Sequence, residues 1–248
     1  MTTTTMTAPA PLRSTLSDVS PRRAARYSGI AYLALFVLAM FANFFVREGL
    51  VVSGDAAATF ANIAGSQTLF RFGLVAFLAI FILDVGIAWG LRVVFERISR
   101  QVSLVAAWFR LTYTVFLGVA AIFFFLALEL VSGAGHLASF AQAQLESQVL
   151  LAVNAFNYTW LIGLVAFGLH LGLIAYLMVR SGSMSRVLAV FLAAAGAAYV
   201  VDTTAFSLLP NYTDYAGAFL AMVAIPSVIG ELAFTIWLLR GGFDRPTR

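Results

Sequence analysis

Cysteine and lysine are both missing from this chain of 248 residues. The first absence removes disulfides, thiolate zinc sites, iron–sulfur clusters and cysteine nucleophiles together. The second removes the amine that a retinal-type Schiff base needs inside a helical bundle, so opsin-like chemistry is excluded. Charge of either sign is scarce: 10% of residues are charged and 62% are hydrophobic, against about 25% and 45–50% in soluble domains. With a mean hydropathy of +0.95, the composition belongs in a lipid bilayer. Signature motifs are also missing. No G-x-S-x-G, H-E-x-x-H or P-loop occurs, so no motif announces an enzyme. No cofactor is expected, because haem-binding bundles supply paired histidines and His170 is the one histidine inside an apolar run.

What the chain has is long apolar runs and arginine at their ends. The runs cover about 27–46, 69–92, 102–131, 149–179, 187–209 and 215–239, each near or above the ~20 residues that cross a bilayer. The fold class is therefore all-α: a polytopic bundle of six transmembrane helices. Residues 1–26 form a polar, disordered tail, 27–240 a single membrane domain and 241–248 a short basic tail. Twelve of the fifteen arginines fall before the first span, in the second-to-third and fourth-to-fifth turns, or after the sixth span. The positive-inside rule makes that side the cytoplasm and puts both termini there. The net charge of +4 thus points to lipid headgroups as the partner, and nucleic acid is not expected.

Two outer loops read as short interfacial helices. Asp55 can N-cap a segment from Ala56 to Ala64 that stops at Gly65. A second segment, His136 to Gln148, mixes leucine, phenylalanine and alanine with glutamines.

Four ionisable residues share one depth. Asp84 lies eight residues before Arg92, Arg110 nine after Gln101, His170 ten before Arg180 and Glu231 nine before Arg240. At ~1.5 Å per residue all four sit roughly 12–15 Å inside the cytoplasmic helix ends. A charge there costs about 2.5–3.5 kcal/mol to insert, so each must face the bundle and find a partner. The second and third spans are joined by a short turn, so Asp84 and Arg110 should pair directly, the arginine fork meeting the carboxylate bidentately. His170 and Glu231 are then left to share a proton. In the third span, Ser103, Ala106, Ala107, Arg110, Tyr113, Thr114 and Gly118 recur at helical spacing as a small, polar stripe that must point inward. A second, outer polar cluster is expected from Arg47, Arg71, Tyr199 and Asp202, with Asp202 paired to one of the arginines. Asp84, His170 and Glu231 could ligate a metal, but Arg110 beside them opposes a cation, so no metal is expected. Gly168 and Gly172 bracket His170 in a GxxxG spacing that reads as close helix packing. Pro226 should kink the last helix one turn outside Glu231.

These residues resemble a family. Gly54-Asp-Ala-Ala-Ala58, Leu69-Phe-Arg71, Trp108-Phe-Arg110-Leu111, Phe167-Gly-Leu-His170-Leu171, Arg180-Ser-Gly182 with Ser185-Arg186, Tyr199-Val-Val-Asp202, Pro226, and Gly230-Glu231 with Trp237-Leu-Leu239 are similar to a family of bacterial integral membrane proteins, the domain of unknown function numbered four-three-eight-six. The resemblance covers about residues 25–242 and implies a polytopic bacterial membrane protein, with no activity attached. The leading reading is movement or sensing of a small solute or proton through the buried layer in the bacterial cytoplasmic membrane. The alternative is a non-catalytic structural or regulatory membrane protein, in which the layer only fixes helix register. A third reading is a lipid-active enzyme.

Overall fold

The computed structural model describes residues 19–182 and 186–242. Most of the polar tail, including residues 1–18, the basic end with Arg245 and Arg248, and Ser185 lie outside the described residues. Among the described residues the fold is made of seven helices, with no strand. Helix α1 runs from Pro21 to Leu50, α3 covers Gln67–Phe95, α4 Arg100–Leu130, α5 Gln142–Ser181 and α6 Arg186–Leu208. Between α1 and α3 lies the short α2, Ala56–Gly65, and the chain closes with α7, Ala216–Leu239. All but α2 are long and apolar enough to cross a membrane.

Two of the expected boundaries shift. Helix α1 starts six residues before Tyr27, so Pro21 to Arg26 are helical and do not belong to the tail. Ser20 accepts from the Arg23 amide at 3.3 Å and Pro21 occupies the first helical position, the N-terminal grammar of a helix start. The second outer helix is also not separate. Gln142 to Gln148 are the opening turns of α5, preceded by a single 3₁₀ turn at Gly135–Leu137. At 40 residues, α5 is roughly 60 Å long, about twice the ~30 Å hydrocarbon core, and its first turns project beyond it. Helix α2 packs on α5 there. Its Asp55 cap forms as expected, accepting from the Ala58 amide at 2.9 Å.

Within α1, the stretch Phe41–Arg47 is π-helical, and the Glu48 amide reaches back five residues to the Asn43 carbonyl. Such wide turns are rare and concentrate at functional positions.

The six spanning helices form a closed ring. Each packs on its neighbour in the chain, α1 on α3, then α4, α5, α6 and α7, and α7 packs back on α1. Every interface is set by a glycine whose missing side chain admits the next helix. Gly73 receives Val46, Gly118 receives Phe81, Gly163 receives Phe116, Gly168 and Gly196 meet backbone to backbone, Gly230 lies on Leu192, and Gly29 lies on Leu239. Small residues at such seams let the van der Waals packing that holds membrane helices together act at short range. Inside the ring the apolar core has two parts. The part away from the chain ends stacks Phe70, Phe77, Phe124 and Phe156; the other, near the chain ends, gathers Ile87, Leu91, Phe95, Leu171, Leu192 and Phe234.

Candidate functional site

One polar side chain from each spanning helix enters the ring on the side of the chain ends: Tyr32 from α1, Asp84 from α3, Arg110 from α4, His170 from α5, Tyr199 from α6 and Glu231 from α7. Arg110 is the hub. Its Nε donates to Asp84 Oδ1 at 2.9 Å and its Nη2 to the same oxygen at 2.5 Å. Its Nη1 donates to the Tyr32 hydroxyl and faces His170 Nε2 at 3.3 Å. The guanidinium lies 4.6 Å over the Tyr32 ring and 5.4 Å over Phe167, where cation–π attraction adds to the hydrogen bonds. Asp84 and His170 are fully buried and Arg110 is 1% exposed.

His170 bridges two helices. Its Nδ1 lies 2.8 Å from the Ala106 carbonyl, which can only accept, so Nδ1 carries the hydrogen and Nε2 offers its lone pair to Arg110. Both nitrogens are therefore taken, and the proton-sharing expected between His170 and Glu231 does not form. Glu231 instead accepts from the Tyr199 hydroxyl at 3.4 Å. It is half-buried, and it lies within electrostatic reach of Arg110 and Tyr32.

Around the ring the helices present these groups for simple reasons. The stripe on α4 points inward as expected: Ser103, Ala106, Ala107, Arg110 and Thr114 are all buried. Thr114 returns its hydroxyl to the Arg110 carbonyl at 2.9 Å, which keeps it satisfied away from water. On α5 the small Gly168 brings α6 close beside His170. Gly172 lends its backbone to the same contact, its N facing the missing side chain of Gly196, while its own missing side chain points into open space.

The outer cluster expected from Arg47, Arg71, Tyr199 and Asp202 does not assemble. Tyr199 belongs to the inner layer through Glu231. Asp202 accepts from the Tyr212 hydroxyl at 2.7 Å, within its own hairpin. Arg71 is exposed and lines a pocket of about 420 Å³ with Glu129, Ser132 and the aliphatic and aromatic side chains of α3 and α4. Arg47 works with α5, as described below. Depth from a helix end says how far in a residue sits but not which neighbour it faces, and the four residues occupy different sectors of the ring. Tyr32 was the member of the layer that the sequence hid, because a tyrosine near a helix end resembles an interfacial anchor. Its spacing from Ala24, Ala25, Ser28 and Gly29, all buried on one face, is the signal that could have found it.

The fold and this layer define a multi-pass α-helical membrane protein with a charged centre. The chain belongs to the family described as a domain of unknown function, DUF4386, which matches residues 27–242. An uncharacterized protein of Archaeoglobus fulgidus is 25% identical over 171 residues, 69% of this chain and 84% of that protein. No solved structure matches the chain.

Proposed function

We propose that this protein moves or senses a small solute or a proton through the interior of its helix ring, in a cytoplasmic membrane with both termini inside. The carrying observation is the charge count of the layer. Two carboxylates, Asp84 and Glu231, face one guanidinium, Arg110. Asp84 is already bonded to that arginine, so Glu231 is the acid left to hold an exchangeable proton or a solute's positive group. Uncompensated acids inside a membrane mark ion and proton pathways because their insertion cost has to be met by a partner. Glu231 is also the carboxylate of the pair that is not sealed, and Pro226, one turn away on α7, removes a helical hydrogen bond where the helix could flex.

Purified protein in liposomes loaded with a pH-sensitive dye tests this. An imposed proton or solute gradient should dissipate faster with wild-type protein than with Glu231→Gln, and Asp84→Asn should not substitute for Glu231→Gln in slowing it. Equal rates for wild type, Glu231→Gln and empty liposomes sink the proposal. They would favour the structural reading, which the bonding among Asp84, Arg110, Tyr32 and His170 supports in its own right.

A further inference from the structure

The geometry points to a second site, at the outer end of α1, that binds a small solute carrying one carboxylate, an amino-acid zwitterion being the best match. A pocket of about 250 Å³ lies between the end of α1, the loop after it and α5. Its polar wall is Arg47, Ser53, Asn154 and Asn157, and Glu48 stands beside them. Arg47 is held in place from several sides. Its Nε donates to Asn43 Oδ1 at 3.2 Å, its Nη1 to Asn157 Oδ1 at 3.4 Å and its Nη2 to Glu48 at 3.4 Å, and its guanidinium lies 5.5 Å over the Trp160 ring. The side chain is only 21% exposed. An arginine that merely anchored the helix to headgroups would extend freely toward them, whereas this one is folded against α5 and fixed.

The π-helical stretch of α1 makes this possible. Asn43 and Arg47 both lie in Phe41–Arg47 and bond to each other across it, which places an arginine and its amide support on the face that meets Asn157.

Charge and shape select the ligand. A planar guanidinium suits a carboxylate in two parallel hydrogen bonds, and the amides of Asn154 and Asn157 with the Ser53 hydroxyl supply further donors. Arg47 and Glu48 together are neutral, so a singly charged carboxylate fits where doubly charged phosphate would meet Glu48, and an ammonium on the same solute would find that acid. The aliphatic part of the wall is Val51 and Val153, too short for an acyl chain. The Arg71 pocket, with Leu74, Val75, Leu78, Phe125 and Leu128, has the long apolar floor that a lipid needs, and the Arg47 pocket does not. The site also touches the layer through Trp160, whose Nε1 donates to the Tyr113 hydroxyl at 3.3 Å. The Tyr113 ring lies 4.9 Å from Phe167, on which Arg110 rests. The site stands on its own geometry and holds whether or not the layer moves anything.

Trp160 makes binding visible, since a solute that draws on Arg47 changes the charge over its ring. Protein in phosphatidylcholine nanodiscs is titrated with glycine, sodium acetate and inorganic phosphate against sodium chloride at fixed ionic strength, following tryptophan emission and thermal stability. Glycine and acetate should saturate both signals and chloride neither. Apparent affinity should fall at least tenfold in Arg47→Gln and in Asn157→Ala, the latter a mild change that serves if the former does not fold. In Trp160→Phe the emission change should vanish while the stability change persists. No saturable response to glycine or acetate, an undiminished response in Asn157→Ala, or tighter binding of phosphate would each overturn the assignment. A response that appears only when phosphatidylglycerol is added to the discs would overturn it in favour of a lipid headgroup.

Discussion

Arg110 places two of its N–H groups on a single oxygen of Asp84, and the other carboxylate oxygen, Oδ2, is buried without a hydrogen-bond partner among the described residues. The sequence supports a two-oxygen fork, but the guanidinium is turned so that its remaining Nη1 can reach Tyr32 and His170. The arginine thus serves three helices besides its own.

The pair should behave as a unit. Breaking a buried ion pair by removing one member costs soluble proteins about 3–5 kcal/mol, because the other charge is left unpaired. Arg110→Gln and Asp84→Leu should each lower the melting temperature of the detergent-solubilised protein, and the double variant should recover part of the loss. Fully additive losses would show that the charges serve separate partners. The one-oxygen geometry adds a finer expectation: Asp84→Asn keeps an acceptor for both donors and should cost less than Asp84→Leu.

His170 should prove to be a brace. Both nitrogens are occupied by Ala106 and Arg110, so His170→Ala should destabilise the solubilised protein by unlinking α4 from α5. Any pH dependence of flux should survive in His170→Gln and be lost in Glu231→Gln. If His170→Gln flattened the pH profile while Glu231→Gln left it intact, the roles assigned to the two residues would be exchanged.

The glycines around the ring separate packing from mere composition. Gly168 meets the Gly196 carbonyl of the next helix, while a side chain at Gly172 would meet nothing within 4 Å. Gly168→Ala should therefore destabilise by about 1–3 kcal/mol, the usual range for forcing atoms into a packed interface. Gly172→Ala should be neutral or stabilising by up to about 1 kcal/mol, since alanine is the better helix former. Thermal unfolding of the two variants in one detergent decides it, and equal losses would contradict the asymmetry.

Orientation can be checked directly. Reporter fusions after Arg100 and Arg180 should report the cytoplasm, and fusions near Gly65, Gly135 and Asn211 the outside. A reversed pattern at any two of these would turn the protein over in the membrane, and with it the outward position of the Arg47 pocket.

The spans were legible because hydrophobic length is a one-dimensional signal: each of the six runs predicts a helix that forms. Inner depth was legible for the same reason, and Asp84, Arg110 and His170 do meet. Azimuth was harder. Tyr199 and Asp202, one turn apart on α6, read in sequence as members of one cluster with Arg47 and Arg71, yet Tyr199 turns to Glu231 and Asp202 to Tyr212, because ring position depends on how all six helices lean together. The π-helical turn before Glu48 leaves no mark in the residues, so the sequence offers Arg47 to Asp202 while the structure turns it to Asn43, Glu48 and Asn157.

The seam between α1 and α7 differs from the other five, since no loop joins those helices. Its close contacts, Gly29 with Leu239 and Tyr32 with Phe234, lie toward the chain ends. The buried residues of α7 are Ser227, Gly230, Phe234, Thr235 and Leu238, none from its first ten residues. A bundle whose one loopless seam is fastened at a single end is built like a clothes-peg, gripped on the side of the chain ends. Glu231, the half-buried acid of the layer, lies one turn before Phe234 on α7 and so borders the clasped end of that seam.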